Sequence, residues 1–452
     1  MEDTHVLAAS IPLSFAVPVV EGRLKERGNV FKSVWNDIEE AADDVVEEVK
    51  NSIDLAGDVV DAIERIAPTA TPASVSEVTA ALKDAFSSTP TNLFEKIAAL
   101  AKNSLVPGDL KHVFTTYSTG CNSVTNVNSE TPNVTVYPTR STQDAPFSLT
   151  ESQLREVIYI PSTFTYGQVP PIVMVPGTGS AGCLSFGSNF IKQFTGSSFA
   201  DPVWLNIPDL LLRDAQINAE YVAYALNYIS SISSKKNISV MAWSQGNLDT
   251  QWALKYWPYT RSIVNDFISI SPDFHGTNTA FVACPNFPNI SCAPAVIQQE
   301  YNSNFISRLR KNDGDSAYVP TTSIYSSTDE IVQPMAGTGA SAYILDAQNV
   351  GVSTNQVQTV CNGKLAGIFA THESVLYHPL AYALVVDALT NPGAGQPSRL
   401  DLDTICDTLV SPGLSVADII ATEGNIPISG VAIELYGSKV TDEPALMAYA
   451  NY

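Results

Sequence analysis

An apolar run, Ile238-Ser-Val-Met-Ala-Trp243, passes without a spacer into Ser244-Gln-Gly246, and a helix-like stretch follows from Leu248 to Lys255. A strand that turns into a helix within so few residues folds its own flanks together, so the positions two before and two after the central residue must be small. Ala242 and Gly246 satisfy that demand and leave Ser244 standing above the strand end. This is the context of a nucleophile elbow. Ala242 stands where the G-x-S-x-G pattern has its first glycine, so the short motif by itself fits either an activated serine or an ordinary turn serine.

The surrounding chain favours the first reading. Arg155 to Ile160, Pro171 to Val175, Asp266 to Ser271 and Thr322 to Ser326 are strand-like, and Ile217 to Ile232 is helical. Strands alternating with helices predict an α/β fold with a mostly parallel sheet and helices on both faces. The 452 residues exceed the roughly 250–300 that one core usually serves, so an appendage is expected. It lies at the N-terminus. Val30, Phe31, Val34, Trp35, Ile38, Ala41, Ala42, Val45, Val46 and Val49 recur at helical spacing opposite an acidic face. Further amphipathic stretches run from Val75 to Phe86, after the Pro68–Pro72 break, and from Asn92 to Asn103.

The expected division is therefore a leader at 1–29, an α-helical region at 30–112 and a catalytic domain at 113–452, with a Ser/Thr/Asn-rich linker from Tyr117 to Asp144. The helical region reads either as a small solvated module or as a pro-segment or cap covering the groove of the main domain. The leader is degenerate: Val6 to Val20 is apolar but holds two prolines and follows Glu2 and Asp3 instead of basic residues. Other apolar runs read as too short or too interrupted to span a bilayer, which takes about 20 residues.

Charge narrows the partners. Against 24 Lys+Arg stand 46 Asp+Glu, a net charge of -22, and such a field repels phosphate backbones and anionic headgroups. Nucleic acid and integral membrane association are excluded, and a neutral or apolar substrate is favoured. Six cysteines with no C-x-x-C pair suggest up to three disulfides, not a metal or redox site. Sequons at Asn133, Asn237 and Asn289 agree with an oxidising secretory route and an extracellular location.

A serine hydroxyl needs a base to take its proton, and the base needs an acid to fix its tautomer. In this fold the order is Ser, Asp or Glu, then His, which leaves His372 and His378 as bases. Asp329, in Ser326-Ser-Thr-Asp-Glu-Ile-Val-Gln-Pro334, follows a strand-like run, where it serves either as the orienting acid or as a turn cap. His372 lies at an element boundary ahead of the helix-like Leu376 to Leu389. Pro176-Gly-Thr-Gly179 ends another strand in a turn that can present backbone N–H groups and the Thr178 hydroxyl to an oxyanion, and the N–H of Gln245 completes the hole. Nucleophile, base and oxyanion donors all come from the chain, so neither a metal nor an organic cofactor is implied.

These residues, with Gln216-Ile-Asn-Ala-Glu-Tyr221, Gln251-Trp252, Ser271-Pro-Asp-Phe-His-Gly-Thr277 and Val319-Pro-Thr-Thr322, stand in the order of the fungal lipases of the Candida antarctica lipase B type, which the chain resembles from about Pro170 to Leu389. Beyond Cys406 the likeness weakens, although Glu443 to Ala450 looks like that family's C-terminal segment. The resemblance implies an α/β-hydrolase fold, Ser244 as nucleophile, Asp329 as acid and His372 as base, with Thr178 and Gln245 in the oxyanion hole and His378 a mere neighbour. It implies that Trp243 and Ser185 line an alcohol pocket and that Asp273, Gln299 and Ile331 border the acyl channel; Trp243 fits plain packing equally well. Cys361 and Cys406 match the family's middle disulfide. Val203 occupies one cysteine position of its first, leaving Cys121 and Cys183 for a different bridge. Cys284 and Cys292 have no counterpart and are expected to form a local disulfide that stiffens the rim of the site. Asn247 replaces a glycine common after the elbow. The activity implied is a secreted serine lipase or carboxylesterase acting on a lipid or small-molecule ester. The alternatives are an amidase or acyltransferase on the same triad, or a surface protein that keeps the fold without catalysis.

Overall fold

The computed structural model describes residues 71–86, 93–106, 118–234, 237–280, 283–284 and 291–451. The expected leader, the helix from Val30 to Val49, the 112/113 boundary and Asn289 lie outside them. Seven strands form one sheet: β1 (Ile158–Tyr159), β2 (Pro171–Val175), β3 (Asp201–Leu205), β4 (Ile238–Trp243), β5 (Val264–Ile270), β6 (Thr321–Tyr325) and β7 (Val352–Gln356). Their order is β1-β3-β2-β4-β5-β6-β7, with β1 antiparallel and every other pair parallel. Strands covered on both faces read as unbroken apolar runs, and β2, β3, β4 and β6 are buried throughout.

Alternate side chains feed two cores. Val173, Val175, Val240 and Ala242 join the helices Ala215–Ile232 and Gly246–Tyr256 on one face. Ile172, Met174, Met241 and Trp243 meet Phe186, Phe190 and the helix Pro379–Thr390 on the other. This is the α/β-hydrolase arrangement expected from the sequence.

Two local expectations fail for the same reason. The strand-like Arg155 to Ile160 is extended only at β1: Thr150 and Gln153 form a capping box that starts the helix Glu151–Glu156, which takes Arg155 and Glu156 out of the strand. The backbone oxygens a longer ladder would need are taken by asparagines, with Asn126 Nδ2 donating to Glu156 O (2.9 Å) and Asn128 Nδ2 to Arg155 O (2.9 Å) and Ile158 O (2.8 Å). Those asparagines belong to the supposed linker, which is therefore fastened down. Val136 and Ala145 are buried in the core, and Glu130 O accepts from Tyr228 Oη at 2.8 Å. Side-chain amides did what a composition rich in Asn and Ser hides: they satisfied an irregular backbone from within.

A helical flank completes the domain. Val416–Glu423 and Asn425–Leu435 follow one another across Gly424. Together they span 20 residues, bilayer length by count, but the run is broken at Gly424 and 72% of its most apolar window is buried inside the protein, as a core helix pair is. Against them pack two N-terminal helices, Val75–Ala85, capped by Ser74, and Leu93–Lys102. Val78, Leu82, Leu100 and Leu105 bury themselves with Tyr377 and Ile419, while Ile97 and Ala101 meet Ile426, Ile428 and Val431.

Candidate active site

β4 delivers Ser244 at its C-terminal end with φ of 55°, a left-handed backbone that a residue other than glycine adopts only under constraint. The constraint is steric and visible. A Cβ on Gly246 would lie 2.5 Å from Pro176 O and 2.6 Å from Val175 O, and one on Gly177 would lie 2.8 Å from Ser244 Cβ. The elbow and the Pro176–Gly179 turn thus interlock through their glycines. Asn247 adds a brace that glycine could not supply, its Nδ2 donating to Ser244 O (2.9 Å) and Ile270 O (3.0 Å) and its Oδ1 accepting from Ser269 Oγ (2.6 Å).

Asp329 and His372, 43 residues apart, meet at 2.7 Å through Oδ2 and Nδ1 with both side chains buried. The other oxygen of Asp329 accepts from the N–H groups of Ile331 (2.9 Å) and Val332 (2.8 Å), so the turn-cap and acid geometries coexist in one carboxylate. Burial pulls the imidazole pKa down, but the Asp329 charge and hydrogen bond, with Glu330 and Asp273 beyond, outweigh it and hold it above the ordinary value. With Nδ1 committed to Asp329, Nε2 is the free acceptor, and it has no partner among the described residues. Trp243 Nε1 (3.3 Å) and Ser271 Oγ (2.9 Å) donate to His372 O, and His372 N donates to Glu330 Oε2 (3.1 Å), which fixes the loop.

Thr178 Oγ1 lies 2.8 Å from Gln245 Oε1 and 3.0 Å from Gln299 Oε1, and its single proton serves one at a time. Gln299 Nε2 donates to Gln245 Oε1 (3.0 Å), closing a ring of three side chains. The ring and turn hang from a segment with three successive positive φ values, 55° at Asp209, 53° at Leu210 and 61° at Leu211. Leu210 O takes the Gly179 N–H at 2.9 Å, and Leu211 O takes Gln245 Nε2 at 3.1 Å. Ser244, His372, Thr178, Trp243, Gln299 and Ile331 all line one cleft.

No family model matches the chain. Lipase B of Pseudozyma antarctica is 35% identical over 284 residues, which cover 62% of this chain and 79% of that protein. The crystal structure of Aspergillus fumigatus lipase B superposes with a TM-score of 0.82 at 42% identity, covering 91% of this chain and 98% of that one. The chain belongs to the lipase B family. As a lipase B family member it is a carboxylic-ester hydrolase of the lipase and esterase class.

Two expected pocket residues of this lipase B family protein lie behind the cleft surface. Ser185 and Asp273 are fully buried and do not line the cleft. Ser185 sits in the short helix Gly182–Phe186, and its hydroxyl is spent on Ser180 Oγ at 2.9 Å. Neither carboxylate oxygen of Asp273 has a partner among the described residues, and burial pushes its pKa up to about 7. The cleft walls that went unforeseen are Thr277, Thr279, Ala280, Ala283 and Val296 on one side and Ile426, Ser429, Gly430 and Ile433 on the other. The last four share one face of the helix Asn425–Leu435, but Ile428 and Val431 make the other face apolar too, so periodicity could not single them out.

Disulfides join Cys121 to Cys183, Cys284 to Cys292 and Cys361 to Cys406. The second packs with Ala280, Val296 and Ile433, directly behind the cleft wall. His378 caps the helix Pro379–Thr390 and donates from Nε2 to Ala366 O (2.9 Å), while burial lowers its pKa to about 4. Asn133 and Asn237 are exposed. Behind His372, sequence reasoning missed a group of carboxylates. Glu373 and Glu423 are fully buried, and Glu423 accepts from Tyr377 Oη (2.6 Å) and Thr371 Oγ1 (3.1 Å). Burial, with the Glu330 charge nearby, raises both acids, Glu423 to about 8.

Proposed function

We propose that this lipase B family member cleaves apolar carboxylic esters, acylglycerols among them, through an acyl-enzyme on Ser244. The observation that carries the reading is the 2.7 Å pairing of His372 Nδ1 with Asp329, which leaves Nε2 unspent in the cleft that Ser244 also lines. Nε2 takes the Ser244 proton as Oγ bonds to the ester carbon, and the resulting imidazolium is stabilised by Asp329. The backbone N–H groups of Gln245 and Thr178 and the Thr178 hydroxyl receive the oxyanion. Collapse returns the proton through Nε2 to the leaving alcohol. Water, activated by the same nitrogen, then releases the acid, and an alcohol in its place gives transesterification.

Residues 113–452 form the hydrolase domain in this reading, and the helices Val75–Ala85 and Leu93–Lys102 serve it as a brace. Described residues of that region contribute nothing to the cleft lining, yet they pack on the helix that walls it. Secretion is supported by three disulfides and two exposed sequons. The test is hydrolysis of p-nitrophenyl esters of rising acyl length, with p-nitroanilides alongside, by the full chain and by Ser244→Ala. Ester turnover lost in the folded variant supports the mechanism. Preferred anilide turnover assigns the triad to amides, and an unchanged variant removes Ser244 from the site.

A further inference from the structure

The hydroxyls around the cleft are nearly all spoken for. Thr178 is bound by Gln245 and Gln299, and Thr277 and Thr279 share their two protons between each other (2.7 Å) and Ile331 O. Ser180 and Ser185, one layer back, are chained to Asn425 Oδ1. Ser429 is different. It lies in the middle of the wall helix Asn425–Leu435, lines the cleft, is only 6% exposed, and its Oγ has no partner among the described residues. A serine inside a helix ordinarily faces solvent or returns its hydroxyl to a carbonyl one turn back, and this one does neither.

Its position is held tightly. A Cβ on Gly179 would lie 2.7 Å from Ser429 Cα and 2.9 Å from Ser429 Cβ, so the wall helix rests on the turn that carries Thr178. The neighbours of Ser429 on the cleft face, Ile426, Gly430 and Ile433, offer no polar side-chain atom. In a mostly apolar pocket a single desolvated polar group sets the orientation and choice of ligand. A site built to bond an oxygen discriminates against the analogue that lacks it, because the site's own group is then left unpaired.

Resting on the reading of the site as an ester hydrolase, we propose that Ser429 is a specificity-determining residue whose hydroxyl bonds a second oxygen of the substrate, near the reacting carbonyl but separate from it. The favoured class is then esters carrying a hydroxyl, ether or further ester oxygen within a few bonds of the reacting carbonyl, partial glycerides among them, over plain alkyl esters of equal size.

The test uses isosteric pairs in which one methylene becomes oxygen: butyl against 2-methoxyethyl butyrate for the alcohol limb, and butyl pentanoate against butyl 3-methoxypropanoate for the acyl limb. Ser429→Ala keeps the helix and removes only the hydroxyl. The expected result is a fall of about fivefold or more in the oxygenated-to-plain ratio of kcat/KM on one limb, with plain-ester turnover retained and Tm unchanged or higher. Ser429→Gly, which also loses the hydroxyl, should lower the same ratio. An unmoved ratio on both limbs, or an equal fall for both members of each pair, overturns the assignment while leaving the hydrolase intact. Wild-type protein that turns over none of the four esters overturns the hydrolase reading itself, and this inference with it.

Discussion

The cleft has two halves made from different material. One half is strand-end: Ser244 on β4, the Gly177–Gly179 turn after β2 and Asp329 after β6, locked by glycine contacts and by the 2.7 Å pairing with His372. The other is helical: Ile426, Ser429, Gly430 and Ile433 on a helix whose far side is covered by Ile97 and Ala101 from more than 300 residues earlier. The first half sets the chemistry through short-range sterics that tolerate few residues. The second sets the shape through dispersed apolar packing that many residues could supply.

If that separation holds, substitutions in the two halves fail in different ways. Ser244→Ala should lower kcat by about 10⁴-fold or more with Tm essentially unchanged; full activity in the variant would erase the distinction at once. Asp329→Asn should cost about 10³–10⁴-fold in kcat, because the amide fixes the wrong tautomer at His372. Since Asp329 also caps its turn, a drop in Tm beyond a few degrees would show the acid is structural first.

On the helical side, Ile97→Ala should destabilise the fold by about 2–4 kcal/mol in denaturant melts. Its KM for long acyl chains should rise, while kcat on a short ester stays within about threefold of wild type. A large kcat loss on the short ester would mean that the brace reaches the chemistry. The smallest effect is in pH. Glu423 has its folded pKa raised to about 8 from an ordinary 4.5, so the folded state holds a proton the unfolded chain releases across that window. Its contribution is thus intact below about pH 4.5 and is lost as pH rises toward 8, with Asp266 and Asp273, both up at about 7, adding in the same direction. Thermal melts should decline from acid to neutral pH and flatten in Glu423→Gln. Activity should run oppositely, rising as the raised His372 pKa is passed and Nε2 becomes free to accept. A Tm that climbs from pH 5 to 8 would contradict the buried-acid account.

The same division explains what could be read in advance. Ala242, Ser244 and Gly246 announce themselves because a strand-to-helix turn admits almost nothing else, and Asp329 and His372 follow from the order of elements. The burial of Ser185 and Asp273 was not legible, because correspondence to a family position says nothing about whether a side chain faces the cavity or the core behind it. The wall helix stayed hidden because it has no polar face: Ile428 and Val431 bury against the N-terminal helices while Ile433 borders the cleft, so no stripe stands out. β1 was misread because the asparagines that cap its neighbouring carbonyls lie 27 to 30 residues upstream.

The turn at Asp209, Leu210 and Leu211 bears on how such a protein can change over time. Its left-handed backbone invites glycine, yet Leu211 is buried in the main core and Leu210 in the cluster behind the cleft wall. A glycine relaxes the backbone and empties a cavity, whereas another large residue fills the cavity and keeps the strain. No single substitution improves both, so this turn resists redesign, and the carbonyls that hold Gly179 and Gln245 come with it. Substrate range is better altered along the face of Ile426 to Ile433, where a library of variants would be best spent.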